Sequence, residues 1–276
     1  MATEIHPTAV IDRRAELGSG VKVGPFAVIE GAVTLGDGTT VGPHSILRGH
    51  TIVGANCRIG PAAYVGLDPQ HVRFDPNGPA TFLTIGDGTI IREGASVHRS
   101  FKPGIENATR VGARCFLMGQ SHVAHDCVLA DGVTLANGVL LGGHVVVGSA
   151  AFLGGGCAVH QFCKIGRLAI VSGNEVVTRE VPPFAAVRYG GLKGYNAVGC
   201  KRAGIARQSI HDLRAAFRCL HSHRTTTAAV EAIRALNSQS PEVKELLDFI
   251  AAAKRGIQPS VRFNAMTRGG GDADDE

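Results

Sequence analysis

Tryptophan is absent from these 276 residues, aromatic residues make up 5 % of them, and methionine occurs three times. A core of interlocking rings is thereby excluded, and burial must come from aliphatic side chains. No apolar run approaches the roughly 20 residues that a membrane-spanning helix needs, so no integral membrane association is expected. The start of the chain, Met1-Ala2-Thr3-Glu4-Ile5-His6-Pro7, has neither the basic nor the apolar stretch of a secretory signal. The seven cysteines (Cys57, Cys115, Cys127, Cys157, Cys163, Cys200 and Cys219) are odd in number and contain no Cys-x-x-Cys pair. That argues against a disulfide or zinc framework and for reduced thiols in a cytoplasmic protein. A strong charge imbalance is also missing, since 28 Lys/Arg face 23 Asp/Glu. With no basic stretch interleaved with aromatics, nucleic acid is not an expected partner.

Glycine, by contrast, is abundant at 37 residues without a collagen triplet, which implies many tight corners. It accompanies a period of six. Ile5, Ile11, Leu17, Val23, Ile29, Leu35, Val41, Leu47, Val53, Ile59 and Val65 open successive hexads, and the fifth residue is mostly small or apolar. The register resumes at Ile85, Ile91 and Val97, and again from Val111 through Val177. Each hexad reads as a short strand and a corner, with the large aliphatic facing inward. One hexad cannot bury its apolar face alone, so coils must stack, and three hexads make a triangular coil of 18 residues. Leu140 and Val146 fall on outer faces that want a partner.

Two breaks interrupt the period, over about 67–84 and 101–110. From Val65 to Ile85 is 20 residues, counted as two hexads plus eight; from Val97 to Val111 is 14, one hexad plus eight. Both are expected to be loops ejected from a rigid scaffold, where ligand contacts concentrate. The coil is expected to span 1–190, with Pro182-Pro183 ending strand pairing. Helical texture follows over 191–268: a stripe at Ile205, Ile210, Leu213, Phe217 and Leu220, a second helix near 227–236, and a third capped by Ser240 with Pro241 first. Gly191 to Arg268 carries 13 Lys/Arg against 5 Asp/Glu, a net of +8, so an acidic partner is favoured. Residues 269–276 read as a disordered tail.

Histidines mark one edge. His125 is third in its hexad, His144 fourth in the hexad one coil later, and His160 second in the next. With eight residues removed at the second break, His98 joins the same side, and His122 sits just before the corner. Familiar zinc spacings are missing, so no metal is expected. A neutral histidine can instead remove a hydroxyl proton near neutral pH. Asp126 is a possible orienter of His125, although neighbours on a strand point to opposite faces.

The hexads resemble those of acyltransferases with a left-handed parallel β-helix, and the left hand is implied by that resemblance alone. More closely, the chain resembles the acyl-carrier-protein-dependent UDP-N-acetylglucosamine O-acyltransferases, which open lipid A synthesis. The matching stretches are Ile5-His6-Pro7-Thr8-Ala9, Val97-His98-Arg99, His122-Val123-Ala124-His125-Asp126, Leu141-Gly142-Gly143-His144-Val145, Ala158-Val159-His160-Gln161-Phe162-Cys163, Val181-Pro182-Pro183 and Lys201-Arg202. The resemblance implies that His125 is the general base and that the Gly143 backbone N–H holds the oxyanion. It implies substrate contacts at Gln70, His71, Arg73, His98, His122, His144, His160, Gln161, Asn196 and Arg202, and a limit on acyl length at Gly173. It further implies a homotrimer, acyl carrier protein as partner and acyl donor, and no cofactor. Departures from the family pattern are His71 in place of an acid, Val198 in place of Glu, and Ala203 in place of Arg. They leave open a 3-amino UDP-sugar as acceptor. A CoA-dependent acetyltransferase and an inactive binding solenoid also remain open.

Overall fold

The structure, a computed structural model, describes residues 2–260. The expected tail at 269–276 lies outside them. Among the described residues, twenty-eight strands, most of them two residues long, form three sheets of 11, 9 and 8 strands. The first sheet begins with Glu4–Ile5 and Lys22–Val23, the second with Val10–Ile11 and Val28–Glu30, the third with Glu16–Leu17 and Val33–Leu35. Glu4 pairs in parallel with Lys22 and Ile5 with Val23, so one coil is three hexads. The molecule is a left-handed parallel β-helix followed by helices.

The hexad explains the interior. Its first residue points inward, as with Ile29, Leu35, Leu47, Leu117 and Leu141, all buried. Each such side chain contributes about 1.5–3 kcal/mol on burial. The fifth residue also points inward and makes a recurrent bond to the next coil: Thr39 Oγ1 donates to Gly54 O at 2.8 Å, Ser45 Oγ to Gly60 O at 2.6 Å and Cys127 Sγ to Gly142 O at 3.2 Å. Cys57, Cys115, Cys127, Cys157 and Cys163 all occupy this position. All seven cysteines are free thiols. Burial pushes Cys127 and Cys157 up to about 12, so they remain protonated core residues.

The fourth residue turns the corner in the left-handed region. Phe26, His44, Asn56, Gln120, Asp126, His144, Phe162 and Asn174 have φ between 55° and 66°. The third residue has its N–H outside the ladder, which is why proline stands there at Pro25, Pro43, Pro61 and Pro183. Pro182-Pro183 therefore do not end strand pairing. Phe184 turns one more corner, and Ala185–Arg188 pairs in parallel with Ile170–Val171 before Gly191–Tyr195 closes the sheet antiparallel.

The first excursion is longer than the count of eight. Val65 pairs with Val97 in the second sheet, while Ile85 pairs with Val53 in the third. Val65 and Ile85 are therefore one hexad step apart in space, and the excursion adds 14 residues. A multiple of six inside a loop is invisible to a period-six count. The second excursion does add eight, because Val97 pairs with Val123 and Val111 with Ile85.

Beyond the coil lie α1 (Ala197–Arg202), α2 (Arg207–Ser222), α3 (Thr226–Ala235) and α4 (Pro241–Ala252). Side chains of Asn196, Thr225 and Ser240 cap α1, α3 and α4. Leu213, Phe217 and Leu220 of α2 bury against Ile233 of α3 and Val243, Leu246 and Ile250 of α4. Ile205 lies ahead of α2 rather than within it. Arg167 Nε donates to both carboxylate oxygens of Glu245, at 2.8 and 3.1 Å, and ties α4 to the coil.

Candidate active site

The corner between the second and third sheets carries the histidine edge. Asp126 turns this corner with φ 59°, which breaks the strand alternation expected for it. Both His125 and Asp126 thus face outward on the same side, and His125 Nδ1 lies 2.6 Å from Asp126 Oδ2. Strand alternation, the argument against Asp126 as orienter, does not apply at this corner because of that single backbone angle. The carboxylate accepts, so Nδ1 carries the proton and Nε2 keeps its lone pair. Asp126 is itself held by the second excursion. Phe101 N donates to both of its oxygens at 3.2 Å, and Lys102 N to Oδ1 at 3.4 Å. Its own N–H donates to Thr109 Oγ1 at 2.8 Å.

One coil further, Gly143 lies under the imidazole. A Cβ on Gly143 would stand 2.8 Å from His125 Cε1 and 3.0 Å from Nε2, so only glycine fits. Gly143 is third in its hexad, the place proline takes elsewhere, and its N–H is therefore outside the ladder. His144, at the next corner, presents its ring edge-on to His125 with centroids 5.3 Å apart. Phe162, at the corner after that, stacks on His144 at 4.5 Å. From the first excursion His71 stacks on Phe101 at 3.9 Å and meets His125 edge-on at 5.6 Å.

His98 and His122 stand on the neighbouring face of the second sheet, 5.2 Å apart. His98 Nδ1 donates to Asp68 O at 2.6 Å, and His122 Nδ1 pairs with Ser96 Oγ at 2.8 Å. Burial first, then the nearby imidazoles of His98 and His125, push His122 down to about 4. Burial also lowers His98 and His144. Their native forms near pH 7 are accordingly neutral. With a folded pKa below the unfolded value of 6.5, the unfolded chain binds the extra proton between about 4 and 6.5. Stability is therefore full above that window and falls as pH drops through it. Thermal melting should shift downward from about pH 7 to about pH 4.5, less so in His122→Gln; an identical slope in the variant would remove His122 as the titrating group.

Seven expected residues thus come together: His71, His98, His122, His125, Asp126, Gly143 and His144. Gln161 follows Gly143 in the same column, exposed, and His160 lies beside it with Nδ1 donating to Gln161 O at 3.1 Å. Gln70 and Arg73 are exposed on the first excursion. Gly173 sits on another edge, third in the hexad that Val171 of the first sheet opens, where a Cβ would meet Gly155 O at 3.0 Å. Asn196 is also elsewhere, its amide accepting from Gly199 N and donating to Leu168 O. Arg202 ends α1 and is exposed. Ser96, Phe101 and Phe162 join the site without being among the expected residues. Phe162 shares the hexad position of His144, and Ser96 the row of His122, so register alone suffices to find those two. The ligand atoms of His125, Asp126 and His144 lie within 4.8 Å of one another, a spacing that a cation could bridge. The carboxylate between them is, however, already satisfied by an imidazole and the backbone N–H groups of the second excursion.

A parallel coil with a histidine edge of this kind defines a hexapeptide-repeat transferase. The family model described as bacterial transferase hexapeptide (six repeats) matches residues 32–66, and that described as UDP N-acetylglucosamine O-acyltransferase, domain 2, matches residues 180–258. The acyl-[acyl-carrier-protein]–UDP-N-acetylglucosamine O-acyltransferase of Alkalilimnicola ehrlichii is 45 % identical over 258 residues, covering 92 % of this chain and 99 % of the relative. That of a Sulfurihydrogenibium species is 46 % identical, covering 93 % and 94 %. LpxA from Acinetobacter baumannii superposes with a TM-score of 0.84 at 34 % identity over 92 % of this chain and 99 % of that one. The UDP-N-acetylglucosamine acyltransferase of Francisella novicida gives 0.86 at 28 % identity over 97 % and 100 %. The chain belongs to the UDP-N-acetylglucosamine O-acyltransferase family.

Proposed function

We propose that the chain transfers a (3-hydroxy)acyl group from acyl carrier protein to the 3-hydroxyl of UDP-N-acetylglucosamine, the first step of lipid A biosynthesis. The observation that carries this mechanism is the 2.6 Å contact between His125 Nδ1 and Asp126, which leaves Nε2 as the basic atom above Gly143. Nε2 takes the hydroxyl proton as the sugar oxygen attacks the thioester carbonyl. The Gly143 N–H donates to the oxyanion, an interaction of a kind that contributes about 3–4 kcal/mol. Collapse breaks the C–S bond, and the imidazolium returns the proton to the departing sulfur. The products are the sugar ester and the free carrier thiol, and no cofactor enters.

The supporting features extend beyond the corner. Arg202, Arg207, Arg214 and Arg218 are exposed on the basic helices, a surface suited to an acidic carrier protein. Gly173, Asn196 and Arg202 stand apart from His125 in one chain, which favours a trimer with sites between subunits. Leu140 and Val146 are exposed on the faces such a trimer would cover. Free, mostly buried thiols fit a cytoplasmic enzyme.

A 3-amino UDP-sugar is the second reading, favoured by one observation: His71, which replaces the family's acid, is stacked beside His125. A mass-resolved assay with the two UDP-sugars, each offered acyl carrier protein or CoA donors, tests both. We expect the carrier-protein donor with UDP-N-acetylglucosamine to give the ester. Amide as the main product would select the second reading, and turnover with CoA alone would discard the carrier protein.

A further inference from the structure

The geometry points to Arg99 as a positioning residue: its guanidinium clasps both feet of the first excursion and thereby sets how the sugar is gripped. This rests on the proposed function only in naming a UDP-sugar as the ligand. Arg99 is 8 % exposed. Its Nη1 donates to Gly66 O at 2.6 Å and its Nη2 to Asp68 Oδ1 at 2.5 Å, both on the departing limb. Its Nε donates to Thr81 Oγ1 at 3.2 Å, on the returning limb. The backbone on either side continues the seam. Arg99 N donates to Leu67 O at 3.0 Å and Ser100 N to Phe82 O at 3.0 Å. Ser100 Oγ accepts from Phe82 N at 3.1 Å and donates to Lys102 O at 2.8 Å, at the start of the second excursion.

Two consequences reach the site. The segment between the feet carries His71, whose stack on Phe101 places it over His125. A loop of this length has no ladder of its own and needs such anchors to hold one tip position. Asp68 also works twice. Its carboxylate is tied by Arg99 while its carbonyl receives the proton of His98 Nδ1 at 2.6 Å. His98 thus keeps a lone pair at Nε2, an acceptor for a sugar hydroxyl. Lysine cannot replace the clasp, because three separate guanidinium nitrogens each meet one acceptor and a single ammonium cannot supply that fork. The corner at Gly49 makes the room. Its φ is +70°, and a Cβ there would lie 1.8 Å from Arg99 Nη1.

Arg99→Lys, Asp68→Asn and Gly49→Ala test this in the full chain. With saturating acyl donor, KM for UDP-N-acetylglucosamine should rise about tenfold, with kcat within about threefold of wild type and the donor KM unchanged. The double variant of Arg99 and Asp68 should be no worse than the Arg99 variant alone, as coupled partners require. Hydrogen exchange over 68–81 and the 15N shift of His98 Nδ1 read the clasp without substrate, and both should move in all three variants. Unchanged exchange and an unchanged His98 signal in folded variants would overturn the clasp. A fall in melting temperature and kcat with no change in sugar KM would also overturn it, leaving a merely structural arginine. Wild-type protein that fails to turn over the sugar would instead strike the proposed function, with the two substrate-free signals still deciding the clasp.

Discussion

His125→Ala should lower kcat on UDP-N-acetylglucosamine by about 10³-fold while the protein keeps its fold and still binds the sugar. The size follows from what the imidazole does. A positioned base contributes about 10²–10⁴, and no neighbour can take over. His144 shows only a ring edge to the same space, and burial holds it, His98 and His122 below the ordinary histidine value. Stability should change little, because His125 is third in its hexad, outside the row of inward aliphatics between Val123 and Leu129. Steady-state kinetics with a thermal melt decide it. Turnover within about threefold of wild type, in a protein that melts normally, would remove His125 as the base.

How much of this is legible in the chain depends on which contacts the period encodes. The hexads prescribe three sheets and an 18-residue coil, and every pairing from Glu4 with Lys22 to Ala158 with Val176 follows that spacing apart from the two excursions. His125, His144 and Gly143 fall on one edge for the same reason. What the period does not carry is backbone conformation inside the hexad. Strand alternation puts Asp126 on the wrong face because it does not hold in a corner whose fourth residue has positive φ. The same blindness makes Pro183 read as a stop signal when it fills a position with no ladder bond. Loops escape the period altogether. The first excursion is six residues longer than the hexad count gives, and what fixes its place is a buried arginine, Arg99, whose partners Gly66, Asp68 and Thr81 follow no sequence rule. The six-residue α1 likewise leaves no trace in the pattern, being too short to show an amphipathic stripe.

Asp126→Asn is the sharper test of the site, because it changes one atom and leaves the shape intact. The carboxylate accepts from His125 Nδ1 through Oδ2, from Lys102 N through Oδ1, and from Phe101 N through both oxygens. An asparagine must put its NH2 on one of these two sides. Placed toward the second excursion, the amide would set donors against the N–H groups of Phe101 and Lys102, which cannot turn away. Placed toward His125, it leaves Phe101 N and Lys102 N their shared acceptor Oδ1 and meets an imidazole that can adapt by moving its own proton. The amide therefore takes the second orientation, and His125 becomes the Nε2–H tautomer with its lone pair turned toward the new NH2 group and away from the sugar. The base is present, correctly located and unable to accept a proton. We expect kcat to fall by about 10²–10⁴-fold, the range a positioned base contributes, with about 10⁴ the loss seen when a histidine base is left in the wrong tautomer, and with sugar KM and melting temperature nearly unchanged. The 15N spectrum of His125 should show Nε2 protonated in the variant and Nδ1 protonated in the parent. Full activity with the tautomer unchanged would make Asp126 a tether for the second excursion and nothing more.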